Sequence, residues 1–382
     1  MISTREPDPV LIGLPADFLD PTAEPRYDTE HGSWQVFSHE HVLQVTTDSS
    51  RFSQAYGELT PEDPNVRVMW MADGRRHRDL RNLVRDPFSR RTLSLLDTDI
   101  RFIVGQLIDD IQRHDAPFDV AAELASPLPG RVICQIMGTD LADDERFTRW
   151  LTDFVAAMAT HQTPEQADKG KFFTDLLADR KEHPQGGLVD ELIAAQRDGY
   201  QVDGQPLDDL DIVGYLWGLI AAGKETTAAG IASMLLLVAD CGYWAELREN
   251  RELRDGAIAE CLRLSLPFPS VSARATEDVT FGSHRVKAGE FVTAWLSAAS
   301  RDPALFPEPG TFNPRRHPNP HMAFAWGPHR CLGEPLALLE MRAVLDAALD
   351  RWPSLHWDRS KPFRRTLGIT NTVREAWMSY LA

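Results

Sequence analysis

The chain has 382 residues, 43% of them hydrophobic and 25% charged, an ordinary globular composition with room for one to three domains and a sizeable core. Its 40 basic residues against 57 acidic ones leave a net charge of −17, which argues against an unassisted nucleic-acid or anionic-membrane binder, since both need a basic face. Four widely spaced cysteines with no C-x-x-C pair argue against a zinc or disulfide framework and for a reduced, cytoplasmic setting.

In chain order, the acid- and proline-bearing start lacks the basic and apolar runs of a targeting peptide. Trp34–Phe37 and Val42–Val45 read as short strands among proline-rich turns. From about 75 to 260 the pattern is helical, with apolar residues three and four apart in Leu93–Gln112, Glu145–Thr160 and Leu188–Arg197. A long helix is predicted over Asp209–Ala239, about 46 Å at 1.5 Å per residue. Lys224 and Glu225 split its apolar stretch into uncharged runs of 12 and 14 residues, short of the roughly 20 that span a bilayer. Residues 268–300 alternate as short strands. Seven prolines in 301–330 predict a long ordered loop. A helix over Gly333–Arg351 and a last hairpin close the chain. With no linker in sight, the expectation is one domain, 1–382, mainly α with small β-sheets (α+β).

Four motifs carry chemistry. Cys331 lies in Phe324-Ala-Trp-Gly327-Pro-His329-Arg-Cys331-Leu-Gly333, just before a helix start whose dipole and free N–H groups favour a thiolate. On its own it also reads as a buried thiol in a tight turn. Mid-helix Ala222-Gly223-Lys224-Glu225-Thr226 places charge and hydroxyl where burial is costly, although taken alone a solvated bend or a salt-bridged pair is the better reading. Glu260 and Arg263, three apart, can pair on one helix face. Arg75-Arg-His77-Arg-Asp-Leu-Arg81 puts His77 and Arg81 on one helical face, and most such runs are simply solvated.

Together the four motifs, over about residues 70–350, resemble the cytochrome P-450 family, in its soluble bacterial branch. The resemblance implies a long helix over a buried haem b, with Cys331 as the axial metal ligand. It implies that Gly223 opens a groove over the haem and that Glu225 and Thr226 relay protons there. His77, Arg81, Arg274 and His329 match the residues that meet the haem propionates. Ala325-Trp326 departs from the usual glycine and smaller residue. The implied activity is monooxygenation of a small organic molecule with O2 and electrons from a ferredoxin and ferredoxin reductase, by a monomer. A peroxide-driven enzyme and a catalytically silent haem-binding module stay open beside it. The pocket is expected from Tyr56–Trp70, Phe154–Lys171, Gly214–Ala222, Pro267–Ser272 and Leu367–Thr372, with Ser270, Asn371 and Thr372 as polar members. It suits a medium-sized natural-product intermediate. Arg85, Arg90, Arg91, Arg330 and Arg342 are candidates for docking the ferredoxin, unless acids such as Asp86 and Glu340 merely offset them.

Overall fold

The computed structural model describes residues 6–55, 67–114, 117–139 and 167–381. The expected helix over Glu145–Thr160, and most of the expected pocket segments 56–70 and 154–171, lie outside the described residues. The chain forms two compact units, one within Met1–Ser53, Leu95–Leu128 and Glu225–Ala382, the other within Gln54–Ser94 and Pro129–Lys224. Among the described residues no helix is long and apolar enough to cross a membrane.

The first unit holds both larger sheets. One runs in the order Arg26–Asp28, Ser33–Val36, Phe291–Ala294, Val271–Ala275, Phe52–Ser53. Its pairing is antiparallel except where Phe291–Ala294 lies parallel to Ser33–Val36. The period-two pattern read from the sequence is the pleat itself: Ala273 and Ala275 face the core while Arg274 between them is exposed. The other sheet sets Ser354–Trp357 and Phe363–Leu367 on either side of Asn371–Leu381.

One expected strand is a helix. Val42–Val45 falls inside His39–Thr47. Its β-branched residues favour strands, but Val42, Val45 and Thr46 are buried at helical spacing, and the Ser38 side chain accepts from the His41 backbone N–H at 3.3 Å, capping the first turn. Tertiary burial overrides propensity here. The other expectations that can be compared agree to within a few residues: helices at Arg90–Gln112, Leu188–Arg197, Asp209–Asp240 and Glu334–Arg351, and strands at Val279–Phe281, His284–Val286 and Phe291–Ala294.

The 301–330 segment is irregular, and a buried ion cluster holds it. Glu260 and Arg263, on the helix Arg254–Leu264, are both completely buried. Arg263 binds the carboxylate in a fork, Nε to Oε1 at 2.7 Å and Nη2 to Oε2 at 3.0 Å. Glu260 also accepts from Arg316 Nε (3.0 Å), Asn319 Nδ2 (2.9 Å) and the Asn313 backbone N–H (2.9 Å). Arg263 in turn donates to the carbonyls of Ser300, Pro309 and Thr311. A loop without a ladder must satisfy its backbone groups elsewhere; this cluster satisfies four of them between Ser300 and Asn313, and the side chains of Arg316 and Asn319 add two further ties.

In the second unit the helix Gly74–Leu83 carries the arginine cluster. Arg76 and Arg67 both bind Asp211, at 2.5 and 3.1 Å, in the first turn of the long helix. Gly218 and Gly223 permit close packing of that helix: an added Cβ would lie 2.9 Å from the Trp70 ring and 3.0 Å from Ile133 Cδ1.

Removing one partner of a buried pair leaves an uncompensated charge, a loss of about 3–5 kcal/mol. Glu260→Ala and Arg263→Ala should each lower unfolding stability by that amount. The double variant should cost much less than the sum. Denaturant unfolding measures all three.

Candidate active site

The cysteine loop is built by backbone turns. Ala325 N–H donates to Met322 O at 2.8 Å, Arg330 N–H to Gly327 O at 3.1 Å, and Cys331 N–H to Phe324 O at 2.9 Å. Gly327 sits at φ +85°, and a Cβ there would come within 2.4 Å of Thr46 O, so only glycine fits. Ala325, where the family often has glycine, sits at φ +52°, in a region that costs an L-residue about 1–2 kcal/mol. Trp326, the other departure, faces outward. The Arg330 guanidinium lies 4.8 Å from its ring and forks onto Glu334 at 2.7 and 2.8 Å. Trp326, Arg330 and Glu334 line a cavity of about 340 Å³ with His321, Asn319 and Phe324. Burial holds His321 down at about 4, so the ring is neutral.

Cys331 precedes the helix Glu334–Arg351 by two residues, Gly333 being the N-cap. It is exposed, whereas Cys134, Cys241 and Cys261 are all buried. Burial raises the Cys261 thiol well above its ordinary value, which removes it as a ligand. One soft sulfur donor thus stands accessible at a positive helix end, the condition a thiolate ligand needs.

The long helix supplies a second accessible surface. Between 211 and 238 it is buried all round except at Leu219, Ala221, Ala222, Gly223 and Thr226. Leu219, Ala222, Gly223 and Thr226 follow the spacing i, i+3, i+4, i+7, one face of a helix. The middle of this stripe is small: Ala222 is exposed, while Gly223 packs closely against Ile133. The Thr226 hydroxyl belongs to the same stripe. Glu225 does not: it is 6% exposed, and its Oε1 accepts from Thr370 and Thr372 hydroxyls (3.0 and 3.2 Å) and from Arg374 Nη2. The expected alcohol and acid therefore lie on different sides of one helix.

The remaining site residues are placed unit by unit. His329 shares the loop with Cys331. Arg274 stands on the exposed face of its strand, Nε donating to Gly289 O at 3.2 Å. In the other unit His77 is 4% exposed, and Arg81 is near enough to Tyr215 to oppose the rise that burial imposes on its phenol. Within the first unit the chemistry fits a haem: an accessible thiol at Cys331, with Arg274 and His329 as side chains that can donate to its carboxylates.

Some residues escaped sequence reasoning. Arg316 and Asn319 complete the Glu260 cluster, and Arg374 reaches Glu225 from the last strand. No spacing signals either, because each contact joins distant parts of the chain. Asn371 and Thr372, expected in the pocket, are hydrogen-bonded within the protein: Asn371 Nδ2 donates to Ile12 O at 2.8 Å, its Oδ1 accepts from Arg365 at 2.9 Å, and Thr372 Oγ1 donates to Glu225 Oε1 at 3.2 Å. Of the docking arginines, Arg330 is paired with Glu334 and Arg342 with Asp255. Arg85 and Arg91 are exposed, and the side chain of Arg90 lies outside the described residues.

Comparison with known proteins gives a family. The model of a family described as Cytochrome P450 matches residues 244–367. Nocardicin C N-oxygenase of Nocardia uniformis subsp. tsuyamanensis is 34% identical over 368 residues, 91% of this chain and 90% of that one. Mycinamicin IV hydroxylase/epoxidase of Micromonospora griseorubida is 33% identical over 346 residues, 87% and 84% of the two chains. The crystal structure of CYP109E1 from Bacillus megaterium in complex with testosterone, 27% identical, covers 94% of each chain with a TM-score of 0.88.

Glu340, one of the acids expected to offset the nearby arginines, is 1% exposed with Oε2 unpartnered, and burial pushes its carboxyl up to about 8. The folded protein thus holds this proton where the unfolded chain releases it. The stability it lends is complete below about pH 4.5 and drains away as pH rises toward 8. Glu340→Gln should flatten the decline in stability across that window, measured by denaturant midpoints at several pH values.

Proposed function

The chain belongs to the cytochrome P450 family and is a haem b-dependent monooxygenase, and on that premise we propose that it oxidises a medium-sized natural-product intermediate, with electrons from a ferredoxin and its reductase, as a cytoplasmic monomer. The observation that carries the site assignment is the accessible thiol of Cys331 at the head of an 18-residue helix, beside three thiols too buried to compete. Bound haem, with thiolate ligation pushing electron density to the iron, supplies the oxygen chemistry.

The chain's own residues do the rest. Cys331 would ligate the haem iron, its thiolate favoured by the helix dipole. His77, Arg81, Arg274 and His329 would meet the propionates. Ala222 and Gly223 give the flat group its approach to the long helix. Thr226, on the same stripe, holds a proton at its Oγ1 for the reaction, and Glu225 refills it. The substrate class rests on the relatives, two of which are named for tailoring nocardicin C and mycinamicin IV. Neither the peroxide-driven nor the silent reading has an observation in its favour, since the acid–alcohol pair and the thiol are both intact. For the ferredoxin, the exposed Arg85 and Arg91 are the better docking cations, because carboxylates already engage Arg330 and Arg342.

Reduced and exposed to carbon monoxide, the haem-loaded protein should show the red-shifted Soret band of thiolate ligation. Cys331→Ser should lose the band, and Cys261→Ser should keep it. A thiolate spectrum surviving in Cys331→Ser would move the ligand elsewhere.

A further inference from the structure

The strand Asn371–Leu381 and the turn before it converge on one oxygen. Glu225 Oε1 accepts from the Thr370 hydroxyl at 3.0 Å, the Thr372 hydroxyl at 3.2 Å and the Arg374 guanidinium. Thr372 Oγ1 lies 3.0 Å from Thr370 Oγ1, and Arg374 Nε is itself tied to Thr366 Oγ1 at 3.2 Å across the hairpin. Thr370, Thr372 and Glu225 are all at least nine-tenths buried, while the Arg374 side chain is 42% exposed. Among the described residues, Oε2 accepts no hydrogen bond.

We propose that Arg374 is a positioning residue for the proton relay: with Thr370 and Thr372 it clamps Oε1 of Glu225 and leaves Oε2 as the oxygen that exchanges protons. The inference rests on the reading of Glu225 and Thr226 as that relay.

The physical case is as follows. A buried carboxylate without cationic and hydrogen-bonding partners takes up a proton and keeps it. Such a group cannot refill Thr226 repeatedly. A charge-assisted bond from Arg374 compensates the burial of the carboxyl group. Crowding all three donors onto one oxygen also fixes the plane of the carboxyl, so that the other oxygen stays available in a constant direction. Each cycle is balanced: Oε2 takes a proton from water, passes it toward Thr226, and returns to the carboxylate, with no electron moved. The partly exposed guanidinium also places this end of the relay at the protein surface, where water can supply it.

The test uses the haem-loaded protein and dioxygen as the only acceptor, reduced by a surrogate plant-type ferredoxin and its reductase. The fraction of electrons recovered as hydrogen peroxide is measured in H2O and D2O for wild type, Glu225→Gln, Arg374→Gln, Arg374→Lys and the variant carrying both glutamines. A starved relay releases more peroxide. Arg374→Gln should raise the peroxide fraction at least two-fold, as far as Glu225→Gln does, and the double variant should go no further. Arg374→Lys, which keeps a charge but not the fork, should restore part of the loss. D2O should raise the fraction in wild type and leave it unchanged in both glutamine variants. Independently of turnover, Arg374→Gln should lower the melting temperature when Glu225 is present and not when it is glutamine. If Glu225→Gln raises peroxide but Arg374→Gln does not, the positioning role is wrong while the relay stands. If neither does, both are wrong. Additive melting shifts would show that the two side chains are not coupled, which also overturns the clamp.

Discussion

A single buried carboxylate organises the part of the molecule that matters most for chemistry. Glu260 accepts five hydrogen bonds, two of them from Arg263. The cost of desolvating an isolated ion pair often exceeds its attraction, so this cluster is sustainable only because nearly every donor and acceptor is used. Its geometry does more than balance itself. By holding Asn313, Arg316 and Asn319 on one side and the carbonyls of Ser300, Pro309 and Thr311 on the other, it converts a proline-rich run into a fixed arch. Cys331 follows that arch by only 12 residues. The helix that carries the preceding motif thus pins the chain that leads to the thiol.

Much of this was legible in the sequence, for identifiable reasons. Local periodicity marks elements whose burial is one-sided, so the helices at Arg90–Gln112 and Leu188–Arg197 and the strands around 271–294 could be read off. The cysteine loop was legible because its glycines, histidine and cysteine lie within ten residues. Contacts between distant segments were not. Glu260 and Arg263 signalled a pair, but nothing in 301–330 marked Arg316 or Asn319 as its completion. Val42 and Val45 misled because valine favours strands, while their actual partners are spaced for a helix. Asn371 and Thr372 were expected in the pocket from the resemblance alone, and their bonds to Ile12, Arg365 and Glu225 had no signal in the sequence.

The long helix shows how one element serves two purposes. Its hydrophobicity runs almost all round, which is the pattern of a helix buried on every side. The exception is the stripe through Leu219, Ala222, Gly223 and Thr226, whose middle is small. Glu225, one residue before Thr226, is turned by about 100° into the packing against the terminal hairpin. Neighbours in sequence thereby acquire opposite environments, one accessible and one clamped. Charge is distributed with similar economy: Arg76, Arg330 and Arg342 each meet a carboxylate, so the run of basic residues says less about partners than their number suggests.

The central claim is that the Glu260 cluster holds the cysteine loop in its ligating conformation. It is tested most directly by amide hydrogen exchange across residues 313–331 in haem-loaded Arg316→Gln, with Arg364→Gln as a surface control. The account predicts exchange in that loop at least ten-fold faster in Arg316→Gln, with the thiolate-type Soret band weakened in parallel, and neither change in the control. Exchange and spectrum both unchanged in Arg316→Gln would contradict it.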